Sequence, residues 1–329
     1  MQISNLKVFL NHLHSRLSIM THQRSLHKFS TSELNNGQHI PIAGFGTYLI
    51  SVEKAATLVY DALDAGYRHI DTAIAYKNQR EVAQGVARFL QDHPNVQRKD
   101  IWFTTKIANE NQGYENTQKA VQQISDDTKE FIDYVDLILI HSPKTSTKER
   151  LGTYKALQEY VLEPNNGVLS VKSIGVSNYG IAHLEELFHW EGFKVKPVIN
   201  QLELHPWLPR VGLREYLDKH EILAEAYSPL TRGRRLDDPE LLELSQRYNL
   251  SPAEILLKWS YLQGFIVLVK TESPKRAKDN LDLLPDSKGS DGGDGMLGLN
   301  SEILKVLDKP ESKVVLTWGG IDPTLYKDE

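Results

Sequence analysis

The sequence has 329 residues, 40% of them hydrophobic and 25% charged, with a formal net charge of −5 and both signs interspersed. That balance leaves no basic footprint for nucleic acid, and no run reaches the ~18 apolar residues that a membrane span needs. The absence of cysteine removes disulfides, thiolate metal sites and a cysteine nucleophile together, and it fits a reducing compartment such as the cytoplasm.

The chain opens on a stretch with no acidic residue before Glu33, in which Lys7, Arg16, Arg24 and Lys28 are interspersed with four histidines. Residues 1–27 read as an extension outside the fold. A disordered leader, a start at Met20 and an acid-free mitochondrial transit peptide all fit that composition. Asn36-Gly37 then separates two short runs within residues 29–40, a hairpin signal. Such a hairpin would cap the N-terminal end of whatever sheet follows.

Strand patterns come next at 44–48, 67–71, 101–106, 135–141, 173–177, 198–201, 223–227 and 266–270. Helical patterns such as 53–65, 78–91, 117–129, 148–162 and 209–220 lie between them. Repeated βα units of this kind predict a parallel sheet. An open doubly wound sheet is the competitor, but no Gly-x-Gly-x-x-Gly turn opens a helix after the first strand. Chemistry-bearing residues instead close strands along the whole chain: Asp71, Lys106, His141, Ser177, Gln201, Tyr227 and Lys270. A (β/α)8 barrel builds its site from all eight strand ends at one face, so residues 28–329 are expected to form one such barrel. Residues 286–295, rich in Gly, Ser and Asp without calcium-loop spacing, read as a surface insertion. The tail after Lys309 carries Trp318 and Tyr326, which gain shelter if the tail folds over the barrel mouth.

Four of these strand-end groups complement one another. A Lys106 ammonium beside Tyr76 would lower the phenol toward working pH, and Asp71 would hold the lysine charged and oriented. Tyr76 could then protonate an oxygen that turns negative as hydride reaches the adjacent carbon, while His141 directs that oxygen. Taken singly, each residue is more often a salt-bridge partner, a cap or a core aromatic. Their joint placement at one barrel face is what points to chemistry.

Over residues 28–329 the sequence resembles the aldo-keto reductase superfamily, and within it the fungal carbonyl and aldose reductases. The segments that carry the resemblance are Gly66-Tyr-Arg-His-Ile-Asp-Thr-Ala-Ile-Ala-Tyr-Lys-Asn, Leu137-Ile-Leu-Ile-His-Ser-Pro and Gly175-Val-Ser-Asn-Tyr. Val198-Ile-Asn-Gln-Leu-Glu-Leu-His-Pro, Ala226-Tyr-Ser-Pro-Leu and Lys270-Thr-Glu-Ser-Pro-Lys-Arg continue it in the same order. The resemblance implies a reductase of carbonyl compounds with Asp71, Tyr76, Lys106 and His141 as its catalytic group.

It also implies a nicotinamide cofactor. Ser177, Asn178 and Gln201 match the residues that hold the carboxamide, and Tyr227 matches the aromatic that stacks on the ring. Gly46, Thr47, Ser228 and Leu230 complete the cradle, and Asn280 matches the adenine contact. Lys270, Thr271 and Arg276 supply two cations and a hydroxyl suited to a 2′-phosphate, so NADPH is expected with NADH use allowed. Glu272 sits inside that cluster and would either weaken it or contact the ribose.

Departures fall in the pocket. Ala108 and Ser142 stand where relatives often carry tryptophan, so a wider wall is expected there, with Tyr48, Trp207 and Trp318 forming the rest. After Asn78 comes Gln79, where the family often has glutamate. No metal, nucleic-acid or membrane partner is expected, only a small carbonyl substrate, with the chain a monomer or homodimer. The alternative on the same scaffold is a non-catalytic, cofactor-binding regulatory protein. A metal hydrolase would want a ligand cluster that this sequence does not carry.

Overall fold

The structure, a computed structural model, describes residues 26–286 and 301–328. The expected extension at 1–27 lies outside the described residues but for its last two positions, as does the insertion at 286–295 but for Asp286. A short antiparallel hairpin, β1 (Thr31–Glu33) and β2 (His39–Pro41), turns through Gly37 at φ 79°. Eight parallel strands follow: β3 (Ala43–Gly46), β4 (His69–Asp71), β5 (Trp102–Ile107), β6 (Tyr134–Ile140), β7 (Ser170–Ser177), β8 (Ile199–Glu203), β9 (Leu223–Tyr227) and β10 (Ile266–Val269). They run in sequence order, and β10 pairs with both β9 and β3, so the barrel closes. The open-sheet alternative is thereby excluded.

These strands are near-continuous apolar runs because side chains alternate between the barrel interior and the helix layer, and both are dry. In β6, six successive residues from Val135 to Ile140 are buried. The helices cover the outside with one apolar stripe each. In α1 (Val52–Ala65), Ala55, Leu58, Val59, Ala62 and Leu63 are buried at the spacing of one helix face. It stops at Gly66, whose φ of 115° lets its N–H cap the carbonyls of Ala62 and Leu63. Gly85 lets α2 (Gln79–Asp92) approach α1, since a β-carbon there would sit 2.5 Å from the Ala56 carbonyl. The remaining α-helices among the described residues are α3 (Tyr114–Thr128), α4 (Thr147–Leu162), α5 (Ile181–Phe188), α6 (Val211–Lys219), α7 (Pro239–Tyr248), α8 (Pro252–Leu262), α9 (Pro274–Leu281) and α10 (Ser301–Leu307). Capping boxes at Ser146–Glu149 and Ser251–Glu254 start α4 and α8.

The two barrel ends have opposite character. At the N-terminal end, Leu34 and Ile40 of the hairpin pack on Trp102, Leu137, Val198 and Ile266. Asn35 ties the hairpin to the carbonyls of Pro197 and Glu221, which lie just before β8 and β9. That plug is apolar. The C-terminal end is polar and is crossed by a strap formed by the tail. Val314 N and Ser312 Oγ donate to the Trp207 carbonyl, and Arg210 holds Asp322 through two bonds of 2.9 and 3.0 Å. Further along, His183 takes the Tyr326 carbonyl and Arg150 takes Asp328 at 2.7 Å. The strap so anchored brings Trp318 over the mouth.

Candidate active site

A cavity of about 670 Å³ opens between the strand C-termini and the strap. Asp71, Tyr76 and His141 face it, and so do Gly46, Tyr48, Ser177, Asn178, Gln201, Tyr227, Ser228, Leu230, Lys270 and Trp318. Lys106, fully buried, lies beneath.

Tyr76 reaches the cavity because β4 ends at Asp71 and a single 3-10 turn, Ile74–Tyr76, carries the chain back across the mouth. Lys77 closes the turn with φ 58°. Buried Asn78 fixes it, accepting from the Thr72 hydroxyl at 3.2 Å and donating to the carbonyls of Thr47 and Ile50 at 3.0 and 2.8 Å. Gln79 ties the same segment to β5 and α3 by accepting from Thr105 and donating to Asp127. The Lys106 ammonium donates to Asp71 Oδ1 at 2.6 Å, Asp71 Oδ2 at 2.7 Å and the Thr72 carbonyl at 2.8 Å. It reaches the Tyr76 hydroxyl only at 3.4 Å. The His141 ring stands edge-on to Tyr76 with centroids 5.7 Å apart.

The electrostatics correct one expectation. Tyr76 is raised well above the usual tyrosine value, not lowered, first by burial and then by Asp71, Tyr48 and Glu225. The physical reason is first that a buried phenolate loses its water, and Lys106, bonded to both oxygens of Asp71 and 3.4 Å from the phenol, does not offset that cost. Burial and the nearby Lys106 push His141 down to about 3, so its ring is neutral and carries one N–H to donate. The site at neutral pH thus holds a protonated phenol beside a neutral imidazole.

The opposite wall is a hydrogen-bonded platform. Ser177 Oγ donates to the Gln201 carbonyl at 2.8 Å and accepts from Asn178 Nδ2 at 2.9 Å, while Asn178 also donates to the His141 carbonyl at 3.0 Å. The Tyr227 hydroxyl donates to Asn178 Oδ1 at 2.8 Å and accepts from Trp318 Nε1 at 3.0 Å. Both hydrogens of the Gln201 amide go inward, to Asp71 at 2.9 Å and Glu225 at 2.7 Å, which leaves its carbonyl oxygen as the group it can offer a ligand. Asn178 and Ser228 take φ of 62° and 53°, sharp bends that bring backbone to the cavity edge.

The residues expected at a 2′-phosphate lie around the start of α9. Arg276 Nε donates to Thr271 Oγ1 at 3.2 Å, and Lys270 faces the cavity. Glu272 lies between Lys270 at 3.0 Å and Lys54 at 3.1 Å. Thr271, Arg276 and half-buried Asn280 sit off the cavity wall, at the start and along the body of α9. Buried Thr47 is also off the wall; its hydroxyl holds the Asp71 carbonyl at 3.0 Å.

Three residues expected in the pocket wall do not face the cavity. Ala108 is buried where it caps the 3-10 turn Asn109–Asn111. Ser142 turns its hydroxyl to Asn109 at 2.9 Å and its carbonyl to Gln112 at 2.8 Å. Trp207 packs into the core, and its carbonyl anchors the strap. The wall is made instead by Tyr48, Leu49, Arg232, Thr317 and Trp318. Sequence reasoning also passed over Glu225, a buried acid inside the run Leu-Ala-Glu-Ala-Tyr; an acid at an interior strand position was its signal.

Comparison with known proteins agrees along most of the chain. The sequence profile of the Aldo/keto reductase family matches residues 43–288. An uncharacterised oxidoreductase of Saccharomyces cerevisiae is 38% identical over 87% of this chain and 96% of its own. Glycerol 2-dehydrogenase (NADP+) of Hypocrea jecorina is 35% identical over 77% of this chain and 87% of its own. Among solved structures, an aldo/keto reductase from Brucella melitensis aligns with a TM-score of 0.73 at 39% identity, covering 85% of this chain and 99% of that one. With the profile spanning the barrel and relatives matched over most of their lengths, the chain belongs to the aldo/keto reductase family of oxidoreductases.

Proposed function

We propose that the protein reduces aldehydes or ketones, ketoesters and aldoses among them, to alcohols with NADPH, and that Tyr76 donates the proton. The observation that carries this is the set of Asp71, Lys106, Tyr76 and His141 gathered at the floor of one cavity. The bound cofactor supplies the hydride. The developing alkoxide is a stronger base than a phenolate, so a phenol that holds its proton tightly still gives it up there. Lys106 then faces the phenolate left behind, and neutral His141 donates to the same substrate oxygen and sets its direction.

Ser177 Oγ and Asn178 Nδ2 would turn from their present acceptors to the oxygen of a carboxamide and Gln201 Oε1 suits its amide, while the Tyr227 ring gives a nicotinamide a flat apolar face. The backbone at Gly46, Thr47, Ser228 and Leu230 would hold the pyrophosphate, and Asn280 the adenine. Lys270, Thr271 and Arg276 fit a dianionic 2′-phosphate, and a relative named as an NADP+ enzyme supports that choice.

A panel of aldehydes, ketoesters and aldoses assayed with NADPH and NADH tests the proposal. Turnover with NADPH that Tyr76→Phe abolishes while cofactor binding persists is the expected result. Cofactor binding without turnover of any carbonyl would establish the regulatory alternative.

A further inference from the structure

Below the residues that meet the cavity, the barrel interior carries a second carboxyl. Glu225 stands in the middle of β9, fully buried. It shares Gln201 with Asp71: one amide hydrogen goes to Glu225 Oε2 at 2.7 Å and the other to Asp71 Oδ2 at 2.9 Å. Glu225 Oε1 has no hydrogen-bond partner among the described residues. His69 Nε2 lies 3.5 Å from it.

The His69 tautomer follows from its other nitrogen. Nδ1 is 3.2 Å from the Pro41 carbonyl, which can only accept, so Nδ1 carries the hydrogen. The ring is neutral, held down to about 3 by burial. Its Nε2 is therefore a lone pair, 3.4 Å from the Thr104 hydroxyl that itself accepts from Trp102 Nε1 at 3.0 Å. An ionised Glu225 would set a negative oxygen against that lone pair. A carboxyl proton on Oε1 would instead have that lone pair as its acceptor, shared with the Thr104 hydroxyl.

Charge balance agrees. Among the described residues the ionisable groups facing Glu225 are His69 and Asp71 from β4, Lys106 from β5 and, across the cavity floor, Tyr76 from the turn after β4. From β8 comes neutral Gln201, and β3 and β10 are Ala-Gly-Phe-Gly and Ile-Val-Leu-Val. One ammonium, already engaged by Asp71 at 2.6 Å, balances one carboxylate. Burial first, then Asp71, accordingly raises Glu225 to about 8.

We propose that Glu225 is a positioning residue of the reductase, fixing Asp71 through Gln201 and keeping Lys106 committed to a single carboxylate. It acts on Tyr76 only through these groups, and so rests on the assignment of Tyr76 as the acid. When Glu225 ionises, a second negative charge arrives below Asp71, Tyr76 becomes a weaker acid, and carbonyl reduction slows.

The experiment uses the full chain with two substitutions. Glu225→Gln stays neutral at every pH, can accept from Gln201 and can donate to His69; Glu225→Leu can do neither. Turnover with saturating NADPH and an aldehyde is followed below and above about 8, the value to which Glu225 is raised. In the wild type kcat falls across that value. Glu225→Gln keeps neutral-pH turnover within about threefold and loses the alkaline decline, while Glu225→Leu loses about tenfold or more in kcat with KM little changed. Infrared difference spectra of the same proteins give a readout independent of turnover. A protonated carboxyl C=O band present in the wild type at neutral pH, lost at alkaline pH and missing from Glu225→Gln is the expected signature. No such band, or the same alkaline decline in wild type and Glu225→Gln, overturns the proposal even where Glu225→Leu fails to fold. The band without turnover of any carbonyl would leave the buried acid standing and remove the reductase role assigned to it.

Discussion

The Lys106 ammonium lies 2.6 Å from Asp71 Oδ1 but 3.4 Å from the Tyr76 hydroxyl. Its charge is thus lodged with the carboxylate in the resting site, and it becomes available to the phenol only as that oxygen turns negative. Lys106→Met should lower kcat by about a hundred- to ten-thousand-fold, with NADPH affinity, read by fluorescence titration, close to that of the wild type. It should also lower stability, because Asp71 is left buried with Gln201 as its remaining partner. A variant with near-normal turnover would remove the lysine from the proton-transfer step.

On the proposed reading, Arg276 carries the choice between cofactors. It is placed against Thr271 at the head of α9, off the cavity wall and so away from the reacting end. Arg276→Ala should raise KM for NADPH by about tenfold or more, the scale of one charge-assisted contact, and leave KM for NADH and kcat nearly unchanged. Equal losses with both cofactors would refute a 2′-phosphate contact.

Asn78 should matter to both stability and catalysis without touching substrate. Its side chain is fully buried and satisfies the carbonyls of Thr47 and Ile50 while accepting from Thr72. Asn78→Ala takes away the side-chain donor to the Ile50 carbonyl, while the Thr47 carbonyl keeps the Ile50 N–H, and should cost about 1–3 kcal/mol in chemical denaturation. The turn that aims Tyr76 loosens with it, so kcat should fall more than KM rises.

The buried groups set the pH dependence of folding from both sides. His69 and His141, held near 3 when folded, are ordinary histidines near ~6.5 when unfolded, so their share of stability is lost as pH falls from ~6.5 toward 3. Glu225 works in the other direction. Raised to about 8 when folded against ~4.3 unfolded, it contributes most below ~4.3, and its contribution is lost as pH rises to about 8. Thermal melts should show Glu225→Gln gaining on the wild type across that upper window and no further above it. A constant difference at all pH values would argue against a titrating Glu225.

The site was legible because polar residues interrupt the apolar runs near their C-terminal ends, where a dry core would not hold them without partners. For that reason Asp71, Lys106, His141 and Gln201 were found together. Boundaries were less so: Lys270 lies past β10, since its side chain turns out to the rim, and α3 begins at Tyr114 because Gly113, at φ 102°, turns the chain into it. The direction of the Tyr76 shift could not be read, because it depends first on how deeply the folded mouth buries the phenol and then on its distance from Asp71. Trp207 was misplaced for a related reason: its neighbours are chosen by a tail that binds from far along the chain. The Arg210–Asp322 pair spans 112 positions, and no local pattern encodes it.

That strap has a consequence for how this enzyme can change. Trp318 hangs between moorings at Trp207, Arg210 and Arg150, none of which belongs to the proton-transfer group. What the strap carries over the mouth can therefore change while Asp322 and Asp328 keep their arginines, with Trp318 itself the point where strap and site meet, through the Tyr227 hydroxyl and the His141 ring. On the proposed reading, substrate preference can then be altered from a strap whose anchorage leaves the reaction chemistry in place.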